Sequence, residues 1–511
     1  MRSALRLMGI GFLAAAVIGM VGCDDPAAQP CPNRLGWLPP AFLDTPACGS
    51  AWTTFGFDAA RSEVNSAETA ITAANVGRMH RLWAVALPQV ADSAPILVPS
   101  VPLPDGTRHD VLYLTTRDGR LLAIDAATGL QLWATASTST DPNKITTASP
   151  VADLSRLVIY SYGLDGKVHK YQAATGQEVR GAGWPVIVTT MPKSEKVSSA
   201  LNIANNRLYV TTASFGGDAP PYQGHVVVID LPQGTRHVFN SLCSARTHLL
   251  KPGECAENGA GIWARGGVNV DPVTGHIFVA TSNGPYTANR GGDAWGESVL
   301  ELTGDGTQIL DSYTPAETDS LSMQDLDLGS SAPVLLPEIT GSKTPYLAIQ
   351  ADKEGLLRLL NRQDLSGQGG KGHIGGELQT LFAPDHCPVL TQPAVWSDQI
   401  GGNLWVFVSN NCAISGYQVF TSSSGVSRLR VAWTVGVGAT SPVIAGAILF
   451  VETMNTEVVA LDPRTGHRLW GSAAAASGGS ISGVHWESPI VVGSRLYCTD
   501  ESAKLMAYSL P

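Results

Sequence analysis

Val111-Leu-Tyr-Leu-Thr-Thr-Arg-Asp-Gly-Arg-Leu-Leu-Ala-Ile-Asp-Ala-Ala-Thr-Gly-Leu-Gln-Leu-Trp133 is one of two nearly superimposable stretches in this 511-residue chain. The other is Ile448-Leu-Phe-Val-Glu-Thr-Met-Asn-Thr-Glu-Val-Val-Ala-Leu-Asp-Pro-Arg-Thr-Gly-His-Arg-Leu-Trp470. Both carry Ala-x-Asp-x-x-Thr-Gly-x-x-x-Trp, at Ala123, Asp125, Thr128, Gly129 and Trp133, and at Ala460, Asp462, Thr465, Gly466 and Trp470. Each reads as strand, tight turn, strand, tight turn, strand. The Asp and Thr offer side-chain oxygens to the second turn, and the Gly permits its left-handed residue. The Trp places a large flat surface where a neighbouring unit can cover it.

Working outward, degenerate copies fill the body of the chain. Leu157 to Arg180 keeps Thr175-Gly176, with Gln172 and Arg180 in the Asp and Trp positions. Further copies run through 207–234, 276–308, 346–366, 404–433 and 495–510. Short strands precede them, often opened by a small residue and Pro, as at Ser93-Ala94-Pro95, Ser331-Ala332-Pro333, Ser441-Pro442 and Ser488-Pro489. Counting gives eight units, and eight four-stranded units in a ring form a β-propeller. The last unit ends at Pro511 without a Trp-bearing strand, while Met79-His-Arg-Leu-Trp83-Ala-Val-Ala-Leu87 is such a strand with no unit before it. The fold expected is therefore all-β: an eight-bladed β-propeller closed by an N-terminal strand that completes the C-terminal blade.

Composition agrees. Charged residues make up 15%, against about 25% in ordinary soluble domains. Gly (54) and Pro (32) mark frequent turns, and 44% hydrophobic residues suffice for a large core. A net charge of −10, with no Lys/Arg-rich run, excludes a nucleic-acid-binding role.

Arg2 and Arg6 precede an apolar run from Leu7 to Met20, followed by Val21-Gly22-Cys23. That is the anatomy of an export signal. The small residue before Cys23 resembles a bacterial lipobox, which implies lipidation of Cys23 and a periplasmic or cell-surface lipoprotein. The expected organisation is a signal peptide at 1–22, a tether at 23–50 and the propeller at 51–511. Export favours disulfides, and proximity in sequence suggests Cys31–Cys48, Cys243–Cys255 and Cys387–Cys412, with Cys498 a buried free thiol. No CxxCH occurs, so covalent haem is not expected.

The repeated frame resembles the tryptophan-docking motif of quinoprotein dehydrogenases, propellers that bind pyrroloquinoline quinone (PQQ). The segment from Trp52 to Arg61, followed by Ala74-Asn75-Val76, looks like the start of the same propeller. Residues just before the first strand of a blade and just after its second strand collect on one face. That rule brings Trp263, Asn283, Asp218, Asp325, Asp327 and Lys353 towards one end of the axis. The resemblance implies Trp263 as the floor under the planar quinone, Asn283 and Asp218 as Ca²⁺ ligands, Lys353 at the quinone oxygens and Asp327 as general base. The implied chemistry is hydride transfer from an alcohol or polyol to a metal-polarised quinone, with electrons leaving to an external acceptor. The chain lacks the adjacent Cys-Cys pair that many members carry over the cofactor.

Two other readings fit the same repeat. One is a non-catalytic lipoprotein that presents a platform to protein partners in envelope assembly. The other is a sugar- or polymer-binding propeller, suggested by loop aromatics Trp37, Tyr222, Tyr286 and Trp295.

Overall fold

The computed structural model describes residues 51–139, 141–216 and 218–511. The signal peptide, Cys23, the Cys31–Cys48 pair and Trp37 lie outside the described residues. The described residues form eight blades of four antiparallel strands in a ring, the blade at 443–471 extended by the parallel strand Val64–Asn65, with a single α-helix among them, Thr318–Gln324. Blades 1 to 7 span 96–134, 151–187, 202–240, 269–313, 334–382, 394–435 and 443–471. Blade 8 takes three strands from 490–509, and its outer strand is His80–Ala86, paired antiparallel with Lys504–Ser509.

Each blade interface has its own hydrophobic cluster, which is why the ring forms. Leu208, Val210, Val227 and Ile229 of blade 3 pack on Val158, Tyr160 and Val168 of blade 2. At the junction of blades 8 and 1, Leu112, Leu114 and Leu122 meet Ile490, Tyr497 and Leu505, with Trp83 and Val85 of the closing strand packed against them. The repeated Trp docks on the glycine of the next blade's Thr-Gly. A Cβ on Gly176 would meet the Trp133 ring at 2.5 Å, and one on Gly466 would meet Trp433 at 2.7 Å. The indole N–H groups donate to carbonyls of the same turns, Trp133 to Ala173 (3.0 Å) and Trp433 to Pro463 (2.9 Å). In blade 2 the outer strand is Val186–Ile187, not the stretch at Arg180 that the repeat suggested. A longer loop there moves the indole to Trp184, which packs on Tyr160. The Cys243–Cys255 and Cys387–Cys412 disulfides are present, and Cys498 is free and buried.

A ring of sheets leaves the edges of eight innermost strands facing the axis. Residues 52–65 run along them and satisfy most. Trp52 exchanges backbone hydrogen bonds with Leu97 of blade 1, and Thr53 accepts from Ala152 of blade 2. Ala59 accepts from Val270 of blade 4, Ser62 from Val395 of blade 6 and Glu63 from Ile444 of blade 7. Asn65 then donates its amide to Val491 of blade 8. Arg61 holds this plug: fully buried, it donates to Thr54 Oγ1 and to the carbonyls of Phe55, Ala200, Leu201 and Gly266.

Replacing Arg61 with Met leaves those buried carbonyls without their donor, so it should lower the free energy of unfolding by about 3 kcal/mol or more. Urea titration followed by tryptophan fluorescence measures this. Gly466→Ala, forced against Trp433 at a φ of 71°, should cost at least about 1 kcal/mol in the same assay.

Candidate functional site

The loops before first strands and after second strands meet at one end of the axis. Asn283 follows the second strand of blade 4, Ile277–Ala280. Its backbone is fixed by the Ala260 N–H donating to its carbonyl at 2.5 Å. Helix Thr318–Gln324 ends on Asp325 in the left-handed conformation (φ 57°), which Asp tolerates. Two residues on, Asp327 turns inward and is 2% exposed. Lys353 follows the second strand of blade 5, Leu347–Ala351.

These groups form one network. The Asn283 amide nitrogen donates to Asp218 Oδ2 (3.1 Å) and Asp325 Oδ1 (2.8 Å), and the Asn283 backbone N–H donates to Asp327 Oδ1 (3.1 Å). Lys353 Nζ bridges Asp325 (2.9 Å) and Asp327 (2.7 Å), and lies 5.6 Å from the centre of the Trp263 ring. Tyr222 Oη donates to Asp218 Oδ1 at 2.6 Å. Carboxylate oxygens of Asp218, Asp325 and Asp327 fall within 4.8 Å of one another. Thus Trp263, Asn283, Asp218, Asp325, Asp327 and Lys353 are all brought together.

Burial raises the Asp327 pKa above the ordinary carboxylate value even with Lys353 opposing it. For Asp325 the balance is reversed: partial burial is outweighed by hydrogen bonds from Lys353 and Asn283, and its pKa falls. Burial opposes the charge on Lys353, but its two acidic partners raise its pKa above the usual lysine value.

The sequence reading missed several residues of this face. Glu297 lies beneath the network, accepting from the Leu328 N–H at 2.6 Å, and burial with Asp327 nearby lifts its pKa to about 8. Trp486, before the first strand of blade 8, meets Trp263 edge-on with ring centroids 6.3 Å apart. Beside it, Asp92, Glu487 and Glu501 form a second acidic group, with Arg117 paired to Asp92 (2.6 Å) and Glu501 (2.5 Å). These residues stand in loops that share no spelling, so only their position could have pointed to them. The aromatics that suggested a sugar platform do not form one: Tyr222, Tyr286 and Trp295 are buried.

The donor set suits a hard cation. Asn283 Oδ1 is a buried oxygen with no hydrogen-bond partner. A half-turn of the amide exchanges its oxygen for its nitrogen without changing shape, and would add that oxygen to the three carboxylates. Oxygen-only coordination of this kind is what Ca²⁺ takes.

Residues 52–367 match the family described as glucose/ethanol/alcohol dehydrogenase, β-propeller domain. The chain belongs to this PQQ-type β-propeller family. Residues 401–510 match a second family, outer membrane protein assembly factor BamB. No curated protein matches the sequence. Similar solved structures include a quinohemoprotein alcohol dehydrogenase of Pseudomonas putida (TM-score 0.63, 14% identity, 90% of this chain and 80% of that one). A europium-containing methanol dehydrogenase also aligns (TM-score 0.63, 14% identity, 90% and 98% covered). BamB of Moraxella catarrhalis aligns at a TM-score of 0.50 and 13% identity, with 84% and 99% covered. At these identities the likeness establishes the shared propeller. No helix among the described residues is long and apolar enough to cross a membrane.

Glu487 gives a pH signature for this face. Burial raises its pKa from 4.5 to about 7, so the folded state keeps a proton that the unfolded chain loses. Its contribution to stability is present below about pH 4.5 and is lost as pH rises through about 7. Glu487→Gln should therefore raise the melting temperature more at pH 8 than at pH 5, as measured by differential scanning calorimetry.

Proposed function

We propose that this protein is an exported, membrane-tethered quinoprotein that oxidises an alcohol or polyol and passes electrons to a separate acceptor. The observation that carries the reading is the single cluster of Asp218, Asn283, Asp325, Asp327 and Lys353 beside the face of Trp263. Ca²⁺ would be held by Asp218, Asn283 and Asp325, and PQQ by Trp263 and Lys353. When bound, the quinone supplies a two-electron acceptor and the cation a polarising charge beside it.

The remaining chemistry belongs to the chain. Asp327 is the proton acceptor for the substrate hydroxyl, with burial strengthening it as a base and Lys353 keeping its anion within reach at neutral pH. Asn283 holds Asp327 through its backbone N–H, so the base is fixed before substrate arrives. Trp263 provides a flat apolar floor that excludes water from one side of the site. Glu297 stays protonated under Asp327 at neutral pH and adds no second negative charge there.

A second reading, a platform for envelope protein partners, draws support from the assembly-factor match over 401–510. The two readings part at Asp327, whose charge matters to oxidation and not to peptide docking elsewhere on the ring.

Purified protein incubated with PQQ and Ca²⁺ should gain a bound-quinone absorbance and reduce a redox dye with one or more alcohols. Asp327→Asn should keep the absorbance and lose about 10²–10⁴-fold in turnover. Asn283→Ala should raise the Ca²⁺ concentration needed for binding. No bound quinone in the unmutated protein would sink the enzyme reading.

A further inference from the structure

Lys196 sits where no ion-pairing or hydrogen-bonding role within the fold explains it. It lies in the two-residue strand Glu195–Lys196, opposite Ala213 of Ala213–Ser214, just before the first strand of blade 3. That places it on the same face as the cluster. The residue is only 7% exposed. Among the described residues its ammonium makes no hydrogen bond or ion pair, and it lies 5.7 Å from the centre of the Phe215 ring. Lys144 approaches the same ring at 5.0 Å while donating to the Pro192 carbonyl, so two cations share one aromatic. Phe215 stands in the loop that also carries Asp218, three residues on. Asp92, the acid whose charge is felt at Lys196, is already held through both carboxylate oxygens by Arg117.

A lysine this deeply buried, with no protein partner for its ammonium, is costly to keep charged, and an anionic ligand would offset that cost. Glu195, its neighbour in the strand, shows the contrast: its oxygens are occupied by Thr189, the Gln223 N–H and His225. The ammonium lies over the ring of Phe215, so an anion reaching it would meet a charge braced on an aromatic face. Burial also lowers the Lys196 pKa to about 8, so the group is still mostly protonated at neutral pH and gains most from an anionic partner.

We infer that Lys196, with Lys144 and Phe215 around it, is an anion subsite that anchors a carboxylate of the ligand bound at the axis. This rests on the proposed location of the functional site. PQQ bears three carboxylates, and the axial acids Asp92, Glu487 and Glu501 leave few cations to receive them. A carboxylate on a separate organic acid would present the same chemistry, and the test separates the two sources.

The experiment uses the purified full chain and its Lys196→Met variant, which removes the charge and nearly keeps the volume. Three probes are titrated with Ca²⁺ present: PQQ, its trimethyl ester and citrate. The expected result is PQQ binding weakened roughly tenfold to a hundredfold in Lys196→Met. The trimethyl ester should bind both proteins alike, and the ligand-free variant should melt at the same temperature as the parent or higher. Retained melting temperature separates this from a structural role, which would lower it. If the parent binds no PQQ but is stabilised by citrate, and Lys196→Met is not, the quinoprotein reading falls and the anion subsite stands. Equal binding of every anionic probe by parent and variant overturns the inference. So does an absence of anion binding to the parent.

A measurement on the unmutated protein guards against a variant that does not fold. Mass spectrometry should show slower acylation of Lys196 when PQQ or citrate is present, and acylation unchanged by both would also overturn it.

Discussion

The innermost strand edges of eight sheets in a ring face the axis, and a backbone N–H or C=O buried there without a partner costs free energy comparable to a lost hydrogen bond. In this protein the partner is the chain's own segment 52–65, threaded along the edges of most blades and pinned by the five hydrogen-bonded acceptors of Arg61. The same segment leads into strand His80–Ala86, which pairs with the last strand and supplies the missing outer edge of blade 8. Plugging and closing are thus parts of one N-terminal device. Ala200, Leu201 and Gly266, which accept from Arg61, stand just before the first strands of blades 3 and 4, so the plug braces the face that carries the candidate site.

The ring architecture was legible because its signals are local. A Trp and the Thr-Gly it docks against recur with fixed spacing, and an unaccompanied Trp83 strand at one end matched an incomplete unit at the other. The site was legible for a topological reason: positions before first strands and after second strands must share a face, which brought Asn283, Asp327 and Lys353 together before any geometry was known. The plug was not legible, since Arg61 bonds to backbone carbonyls, and those exist at every residue. Blade 2 departed from its frame because a loop rich in glycine, including Gly181 and Gly183, shifts its indole to Trp184. Lys196 and Glu487 escaped notice because burial, not residue type, makes them unusual.

The axial face is chemically two-sided. Around blades 4 and 5, three carboxylates and an amide converge with Lys353, a set in which an added cation would relieve crowded negative charge. Around blades 8, 1 and 3, the acids Asp92, Glu487 and Glu501 are balanced by Arg117, while Lys196 keeps an unspent positive charge. Trp263 and Trp486 lie between the two halves. A planar ligand with an electron-rich carbonyl at one end and a carboxylate at the other would satisfy both, and each half alone is left with an unmet requirement.

On the proposed function, a hard cation and a planar quinone share the axial site. This is tested most directly by a crystal structure of the protein soaked with PQQ and Ca²⁺. Flat density lying on the face of Trp263, with a compact peak among Asp218, Asn283 and Asp325, is the expected result. Density for the quinone elsewhere on the ring, or an axial site filled only by solvent at saturating PQQ, would contradict it.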